Sequence, residues 1–254
     1  MLKNIWKQCN GSAHLISFGT NAWRLVEEQD IVATRKLVDS LEEQNILEEL
    51  IELNKPPLTP NLIGLHRLLY TPFRYPPLKH GSRFGSRFEL ALWYGSLELN
   101  TAMAETAYYR FNFLRASKAD FGNVVTNHSA FSAQIKTNRG IDLTQSPFSE
   151  FTQAISSPIS YQESQRLGTA MRQEKVESFY YLSARDQNKG RNIALFTPKA
   201  FFKKNPNSNS FQSWKCIVNQ KVAEFVRSGA INIEERIFPI EIFMISHELP
   251  FPAN

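Results

Sequence analysis

The residue types best suited to chemistry cluster between residues 73 and 110. Two arginines of this segment, Arg83 and Arg87, flank a turn that contains the small residues Gly85 and Ser86. A guanidinium presents two parallel N–H donors to a pair of anionic oxygens, and backbone N–H groups in an unobstructed turn add further donors. The spacing therefore predicts a turn that binds phosphate, with ordinary surface arginines as the alternative.

A carboxylate follows the arginine turn. Glu105 lies in a helix that is predicted to begin near Asn100, after a strand-like run at residues 90–95. Its neighbours Ala102 and Ala104 are small, which leaves room for a ligand. The pattern indicates an anion site beside a carboxylate, although a glutamate early in a helix can simply favour the helix dipole.

The element that precedes this segment is a predicted amphipathic helix, or two short ones, from Asp30 to Leu53. Its apolar residues recur at helical spacing and its glutamates lie largely opposite, and Lys55-Pro56-Pro57 ends it. Such a stripe normally packs on a core, which is the favoured interpretation, with a dedicated partner-binding helix as the alternative. Before it, residues 22–26 read as a short strand that carries Arg24.

The remainder of the chain is predicted to be rich in strands. Residues 121–135 and 141–143 read as two strands joined by a polar connection at 136–140. A further β-rich run at 176–183 ends on the hydroxyl of Ser183, and a polar turn separates it from a strand at 192–196. With the helices before residue 115, this mixture predicts an α+β fold.

Composition narrows the functional classes. The chain has 254 residues, a net charge of +5 and only two cysteines without paired spacing, which favours anionic partners and a reducing compartment. No signal peptide and no long apolar run occurs, so we expect a soluble cytoplasmic protein without membrane contact. The five histidines are scattered and the common nucleotide-binding and hydrolase motifs are absent, so no metal site is predicted.

Four short motifs in order carry a family resemblance. They are RFGSRF at 83–88, WYGS at 93–96, Glu105 eleven residues after Tyr94, and FYYLSARD with NIALF at 179–196. Together they resemble the RES family, which is named for an arginine, a glutamate and a serine and includes toxins of bacterial toxin–antitoxin pairs. The resemblance extends over roughly residues 22–245. We therefore expect one RES domain over residues 1–254, with residues 28–56 as an amphipathic helical insertion within it.

The resemblance implies a compact mixed β-sheet core similar to ADP-ribosyltransferase toxins. It also implies a toxin enzyme that cleaves the nicotinamide–ribose bond of NAD, by phosphorolysis or hydrolysis. NAD is then the substrate, inorganic phosphate is a possible co-substrate, and no cofactor is needed. The expected partner is a helix-turn-helix antitoxin that forms an oligomer with the toxin and neutralises it.

The family's named residues map onto this sequence by position. The resemblance implies that the glutamate is Glu105, that the serine is Ser183, and that the arginine is Arg83 or Arg87. Tyr94 matches the family's aromatic residue ahead of the glutamate and would stack on nicotinamide, while Ser183 would orient the amide or the ribose.

One more family arginine, on the first strand, has two candidates. Arg74 with Tyr75 matches the family dipeptide, whereas Arg24 matches the position on an opening strand. Arg83 and Arg87 would hold the pyrophosphate of the substrate, and one of them could also hold an attacking inorganic phosphate.

Two other functions are consistent with the residues. The same fold could transfer ADP-ribose to a macromolecule. A basic nucleic-acid-binding module is the alternative from another class. Against direct nucleic-acid binding, the basic residues form no recognised binding motif, and Glu105 would lie inside the supposed footprint.

Overall fold

The structure, a computed structural model, describes residues 4–28, 37–117 and 122–251. The α-helices among these residues are α1 (Ile5–Gln8), α2 (Leu41–Leu53), α3 (Arg67–Arg74), α4 (Leu99–Ala116), α5 (Thr152–Ile155) and α6 (Gln162–Gln173). The strands are β1 (Ile16–Glu27), β2 (Trp93–Ser96), β3 (Val124–Asp142), β4 (Ser178–Leu182), β5 (Arg191–Leu195), β6 (Gln212–Val218), β7 (Val222–Arg227) and β8 (Glu235–Pro239). The predicted α+β class with a mixed sheet is confirmed.

The described strands form one sheet in the order β1-β2-β5-β4-β3-β6-β7-β8, and β1 also pairs with β3. The first five strands of this order therefore close on themselves, while β6, β7 and β8 extend the sheet. All pairs are antiparallel except β3 with β4. Because Trp23 of β1 pairs with Ser96 of β2, the closure brings the opening strand beside the segment that follows the arginine turn.

The structure corrects one strand prediction. The predicted strands at 121–135 and 141–143 are parts of the single strand β3, which continues through the polar residues 136–140. This stretch stays extended because β1 pairs with it, as in the registers Gly19 with Lys136 and Ile16 with Gly140. A continuous partner strand satisfies the backbone, so polar side chains on the exposed face do not end the ladder.

Helix α4 separates the core from the cleft described below. Met103, Ala107 and Phe111 are buried in a core cluster with the strands β6 and β7. Glu105 and Tyr109, four residues apart, lie together on another side of the same helix. The core-facing residues therefore set the direction in which Glu105 points.

Helix α2 confirms the predicted helical pattern in its second half but not the predicted packing. Ser40 begins it, since its side chain accepts a hydrogen bond from the backbone N–H of Glu43 at 3.1 Å. Apart from the half-buried Leu47, its apolar side chains remain exposed; they are Leu41, Ile46, Leu50, Ile51 and Leu53. The expectation that this stripe faces the core is therefore wrong. Residues 29–36, the first part of the predicted helix and of the 28–56 insertion, lie outside the described residues.

No helix in the described ranges combines the length and the apolar character that crossing a bilayer requires.

Candidate active site

Glu105 is held in a defined orientation at the wall of a cleft. Its Oε1 accepts one hydrogen bond from Ser183 Oγ at 2.6 Å and another from Asn192 Nδ2 at 2.7 Å. The other oxygen, Oε2, accepts no hydrogen bond from the described part of the chain. Two donors on one oxygen hold the carboxylate and leave the second oxygen available to a ligand.

Both donors are themselves held. Asn192, at the start of β5, is buried and accepts a hydrogen bond from Ser96 Oγ at 2.6 Å through its Oδ1. Ser183 Oγ accepts from the backbone N–H groups of Arg185 and Asp186 at 3.1 and 3.0 Å. The two donors therefore cannot turn away without losing their own partners.

Ser183 is placed by the turn after β4, which is anchored to helix α4. Asp186 accepts a hydrogen bond from Thr101 Oγ1 at 2.7 Å, and Gly190 lies so close that an added Cβ would meet Thr101 Oγ1 at 2.1 Å. Ser183 itself is 1% exposed and does not line the cleft. The structure places the Ser183 hydroxyl behind Glu105, in contact with its carboxylate, and direct contact of Ser183 with a substrate stays a prediction.

Arg24 of β1 lines the same cleft. Its Nη1 donates to the backbone carbonyl of Tyr94 at 3.4 Å, and its guanidinium carbon lies 5.4 Å from the ring centroid of Trp93. No carboxylate of the described residues forms an ion pair with it. Burial lowers the pKa of Arg24 to about 10, so the group is charged at neutral pH. A cation that is partly removed from water without an acidic partner is suited to an anionic ligand.

Arg83 is the second arginine of the cleft. Its Nη1 donates to the carbonyl of Ser157 at 2.7 Å, and its guanidinium lies 4.8 Å from the ring centroid of Tyr161. Burial alone lowers the pKa of Arg83, but the nearby Tyr161 and Glu105 raise it, and the net direction is upward. Arg83 is therefore a rigidly held cation that faces Glu105 across the cleft.

The turn before Arg83 is itself fixed by polar contacts. Gln165 Nε2 donates to the carbonyls of His80 and Ser82, each at 3.0 Å. Gly81 has a φ of 72°, and an added Cβ would lie 2.2 Å from the carbonyl oxygen of Gly85. The small residues thus permit the close turn that presents Arg83 to the cleft.

Arg87 does not share this position. It is exposed, its guanidinium lies 4.8 Å from the ring centroid of Phe88, and it does not line the cleft. The structure therefore brings Arg83 to the cleft and leaves Arg87 outside it. The tight turn directs the side chain of the buried Arg83 into the cleft, and the chain reaches the surface at Arg87.

Arg74 and Tyr75 also lie outside the cleft. Arg74 Nη1 forms an ion pair with Glu52 at 3.0 Å, and its Nε donates to the carbonyl of Pro56 at 2.6 Å. Tyr75 is exposed and does not line the cleft. Of the two candidates for the first-strand arginine, the structure brings only Arg24 to Glu105, because Arg74 is used to attach α2 to α3.

Tyr94 lines the cleft and also supports the arginine turn. Its hydroxyl is 2.9 Å from Ser82 Oγ and accepts a hydrogen bond from the backbone N–H of Phe84 at 3.1 Å. Burial, opposed by these hydrogen bonds, raises the pKa of Tyr94 to about 12, so the phenol stays protonated at neutral pH. Its hydroxyl therefore holds the turn that carries Arg83, besides any contact its ring makes with a ligand.

The cleft has a volume of about 280 Å3. The residues that line it are Trp23, Arg24, Leu25, Ser82, Arg83, Tyr94, Gly95, Ser96, Ala102, Glu105, Thr106, Tyr109, Tyr181 and Asn192. Asn192 was not predicted as a site residue, although it begins the NIALF motif. Tyr109 was likewise not predicted, although it follows Glu105 by one helical turn.

The described residues contain no group of three or more His, Cys, Asp or Glu side chains that could hold a metal ion. The charged groups of the cleft are thus one carboxylate and two guanidiniums. This combination can bind an anion beside a carboxylate that is held in place.

Comparison with known families gives a match to the RES domain over residues 61–217, which is more than half of the chain. The chain therefore belongs to the RES-domain family. The matched range includes Arg83, Tyr94, Glu105, Ser183 and Asn192. Arg24 lies before it and is brought to the same cleft by the pairing of β1 with β2.

Among solved structures, the chain is similar to one from the crystal structure of the M. tuberculosis MbcT–MbcA toxin–antitoxin complex. The sequence identity is 10%, the TM-score is 0.46, and the match covers 86% of this chain and 93% of the other. A search of curated proteins found no match.

Proposed function

We propose that this chain is an enzyme that cleaves the bond between nicotinamide and ribose in NAD. The observation that supports it most is the carboxylate of Glu105, which Ser183 and Asn192 hold through one oxygen. It lies in a cleft with two arginines, neither of which forms an ion pair with a carboxylate of the described residues. Membership of the RES family supports the same substrate.

The reaction needs little beyond electrostatic positioning. The bond from the ribose C1′ to the nicotinamide nitrogen breaks, and its electron pair neutralises the pyridinium, which leaves as nicotinamide. The ribose then carries positive charge like an oxocarbenium ion, which a carboxylate beside it stabilises. Glu105 fills this role, and its Oε2 is available to accept a hydrogen bond from a ribose hydroxyl.

The acceptor attacks C1′ of the ribose. With water, the products are nicotinamide, ADP-ribose and a proton; with inorganic phosphate, they are nicotinamide and ADP-ribose 1″-phosphate. NAD is the substrate and the chain needs no cofactor for this chemistry. Arg24 and Arg83 bind the pyrophosphate, and one of them can also bind an attacking phosphate.

The other residues act as supports in this proposal. Ser183 and Asn192 keep Glu105 oriented, and Tyr94 keeps the turn of Arg83 in place. Tyr109 and Trp23, which line the cleft, offer aromatic surface to the nicotinamide ring.

We further propose that the enzyme is a toxin and that a helix-turn-helix antitoxin neutralises it by covering the cleft. Unrestrained loss of NAD would stop growth of the producing cell. Two arginines that hold pyrophosphate would also attract a carboxylate of a partner, so partner and substrate would compete.

The test is to incubate the purified protein with NAD and to identify the products by chromatography, with and without inorganic phosphate. We expect free nicotinamide as a product whichever acceptor the enzyme uses. ADP-ribose identifies water as the acceptor, ADP-ribose 1″-phosphate identifies phosphate, and ADP-ribose attached to an added macromolecule identifies transfer. Failure to release nicotinamide with water, phosphate or a cell extract as acceptor would overturn the proposal.

A further inference from the structure

A second groove adjoins the cleft on the other side of Arg24. It has a volume of about 700 Å3 and lies between the end of β1 and helix α3. Arg24 and Leu25 line both the cleft and the second groove. The residues that line the second groove also include Glu27, Glu28, His66, Arg67, Leu68, Thr71, Pro72, Ser129 and Phe211.

The size of the cleft suits one half of a dinucleotide better than the whole molecule. Its volume of about 280 Å3 falls just below the range of roughly 300–1,000 Å3 that small-molecule sites usually have. If the nicotinamide half lies beside Glu105, then the other half must leave the cleft. Arg24 stands at the junction of the two spaces, where the pyrophosphate between the two halves would lie.

The second groove offers the surfaces that a nucleoside needs. Phe211 is 46% exposed, and its ring stacks on the buried Phe131 with 5.9 Å between centroids and 27° between planes. A ring that is backed in this way presents one rigid aromatic face on which a base can stack. Leu68 and Pro72 supply apolar surface to the same groove.

The second groove also contains side-chain oxygen atoms that can form hydrogen bonds with a ribose. Ser129 Oγ donates to Glu28 Oε1 at 2.6 Å, and both residues line the second groove. Among the described residues, Glu28 forms no ion pair. A carboxylate of this kind commonly accepts the hydroxyl hydrogens of a ribose.

From these contacts we infer that the second groove binds the adenosine half of the dinucleotide, with the adenine against Phe211 and the pyrophosphate at Arg24. This assignment rests on the proposed function for the identity of the substrate. It adds a recognition site that is separate from the bond that breaks, so the affinity for NAD depends on residues that do not contact the nicotinamide.

The test measures binding rather than turnover, in a Glu105→Gln background so that no ligand is consumed. ADP contains the adenosine and the pyrophosphate, whereas nicotinamide mononucleotide contains neither the adenine nor its ribose. Titration calorimetry with both ligands should show that Phe211→Ala weakens ADP binding about tenfold, since one stacked base is lost. The binding of nicotinamide mononucleotide should stay unchanged.

A matched control uses Phe202, another exposed phenylalanine, which lies outside both the cleft and the second groove and contacts Lys136. Phe202→Ala should leave the binding of both ligands unchanged. Thr71→Trp, on the exposed face of α3, fills the second groove and should also weaken ADP binding. Melting temperatures equal to that of the Glu105→Gln parent verify that each variant folds.

The result that overturns the assignment is ADP affinity that stays at the parent value in both Phe211→Ala and Thr71→Trp, or no ADP binding at all. A parallel assay of nicotinamide release by the wild-type protein separates the two proposals. Release of nicotinamide with an unchanged KM for NAD in Phe211→Ala rejects the second groove and keeps the reaction. ADP binding that depends on Phe211, without nicotinamide release, keeps the second groove and rejects the reaction.

Discussion

The cleft and the outer helical surface formed by α2 and α3 carry the same charged residue types but pair them differently. On the outer helical surface, Arg74 already has Glu52 and a backbone carbonyl as partners. In the cleft, Glu105 is fixed by neutral donors, and Arg24 forms no ion pair with any described carboxylate. Opposite charges in the cleft are thus kept apart, whereas those on the outer helical surface neutralise each other.

This difference indicates which arginines can act on a ligand. A carboxylate in an ion pair neutralises the charge of a guanidinium and so weakens its attraction for phosphate, whereas a carbonyl or an aromatic ring leaves the positive charge in place. The four predictions below test the contrast between the two regions.

The largest effect is expected for Glu105→Gln. The substitution keeps the size of the side chain but removes the charge that faces the ribose. Turnover of NAD should fall ~100-fold or more, because a lost preorganised electrostatic contact costs roughly 3 kcal/mol. The measurement is kcat from the rate of nicotinamide release. The control is Glu98→Gln, at an exposed site just before the same helix, and it should keep full activity. Near wild-type turnover in Glu105→Gln would remove Glu105 from the mechanism.

The second effect concerns the planar guanidinium groups. Arg24→Lys and Arg83→Lys keep the charge but lose the planar group that binds two oxygens at once. We therefore expect kcat/KM for NAD to fall about 10- to 100-fold, because hydrogen bonds to a charged group contribute roughly 1.5–3 kcal/mol. Arg74→Lys and Arg87→Lys serve as matched controls outside the cleft and should leave kcat/KM unchanged. A loss in Arg74→Lys equal to that in the cleft variants would mean that the pairing of an arginine does not decide its role. An equal loss in Arg87→Lys would mean that the position of an arginine outside the cleft does not decide it either.

The third effect concerns the support of the carboxylate. Asn192→Ala removes one of the two donors to Glu105 and should lower kcat about tenfold, since a hydrogen bond to a charged group contributes roughly 1.5–3 kcal/mol. KM for NAD should change little, because Asn192 acts through Glu105. Asn112→Ala is the control on helix α4, where the Asn112 side chain donates to the carbonyl of Tyr108 at 3.1 Å and does not line the cleft. A change confined to KM would instead place Asn192 in direct contact with the substrate.

The sequence predicted the carboxylate and the elements around it because these depend on local patterns. Residues near Asn100 begin a helix, and the small residue Ala102 lines the cleft beside Glu105, whereas Ala104 packs in the core. Which of the two arginines, Arg83 or Arg87, lines the cleft does not follow from the local sequence pattern. It depends on contacts of the turn with Gln165 of helix α6, about 80 residues further along the chain.

The hydrogen-bond donors to Glu105 were even harder to predict from the sequence. Ser183 was identified through its motif, but nothing in the sequence shows that its hydroxyl is buried behind Glu105 and donates to the carboxylate. Asn192 is 87 residues from Glu105 in sequence, and only the order of β2, β5 and β4 in the sheet brings the two together. The amphipathic pattern of α2 predicted a helix correctly, but the pattern alone does not say whether anything covers the apolar stripe.

The smallest effect is expected on the outer helical surface. Leu50 of α2 is 51% exposed, so Leu50→Gln should change the free energy of unfolding by less than about 0.5 kcal/mol, as surface substitutions usually do. Leu69 of α3 is fully buried, and Leu69→Ala should cost about 2–5 kcal/mol through lost burial and the cavity that remains. Urea unfolding followed by circular dichroism measures both. A loss of more than 2 kcal/mol in Leu50→Gln would show that the stripe of α2 is packed in solution, and the contrast between a tightly supported cleft and a loosely attached outer helix would then fail.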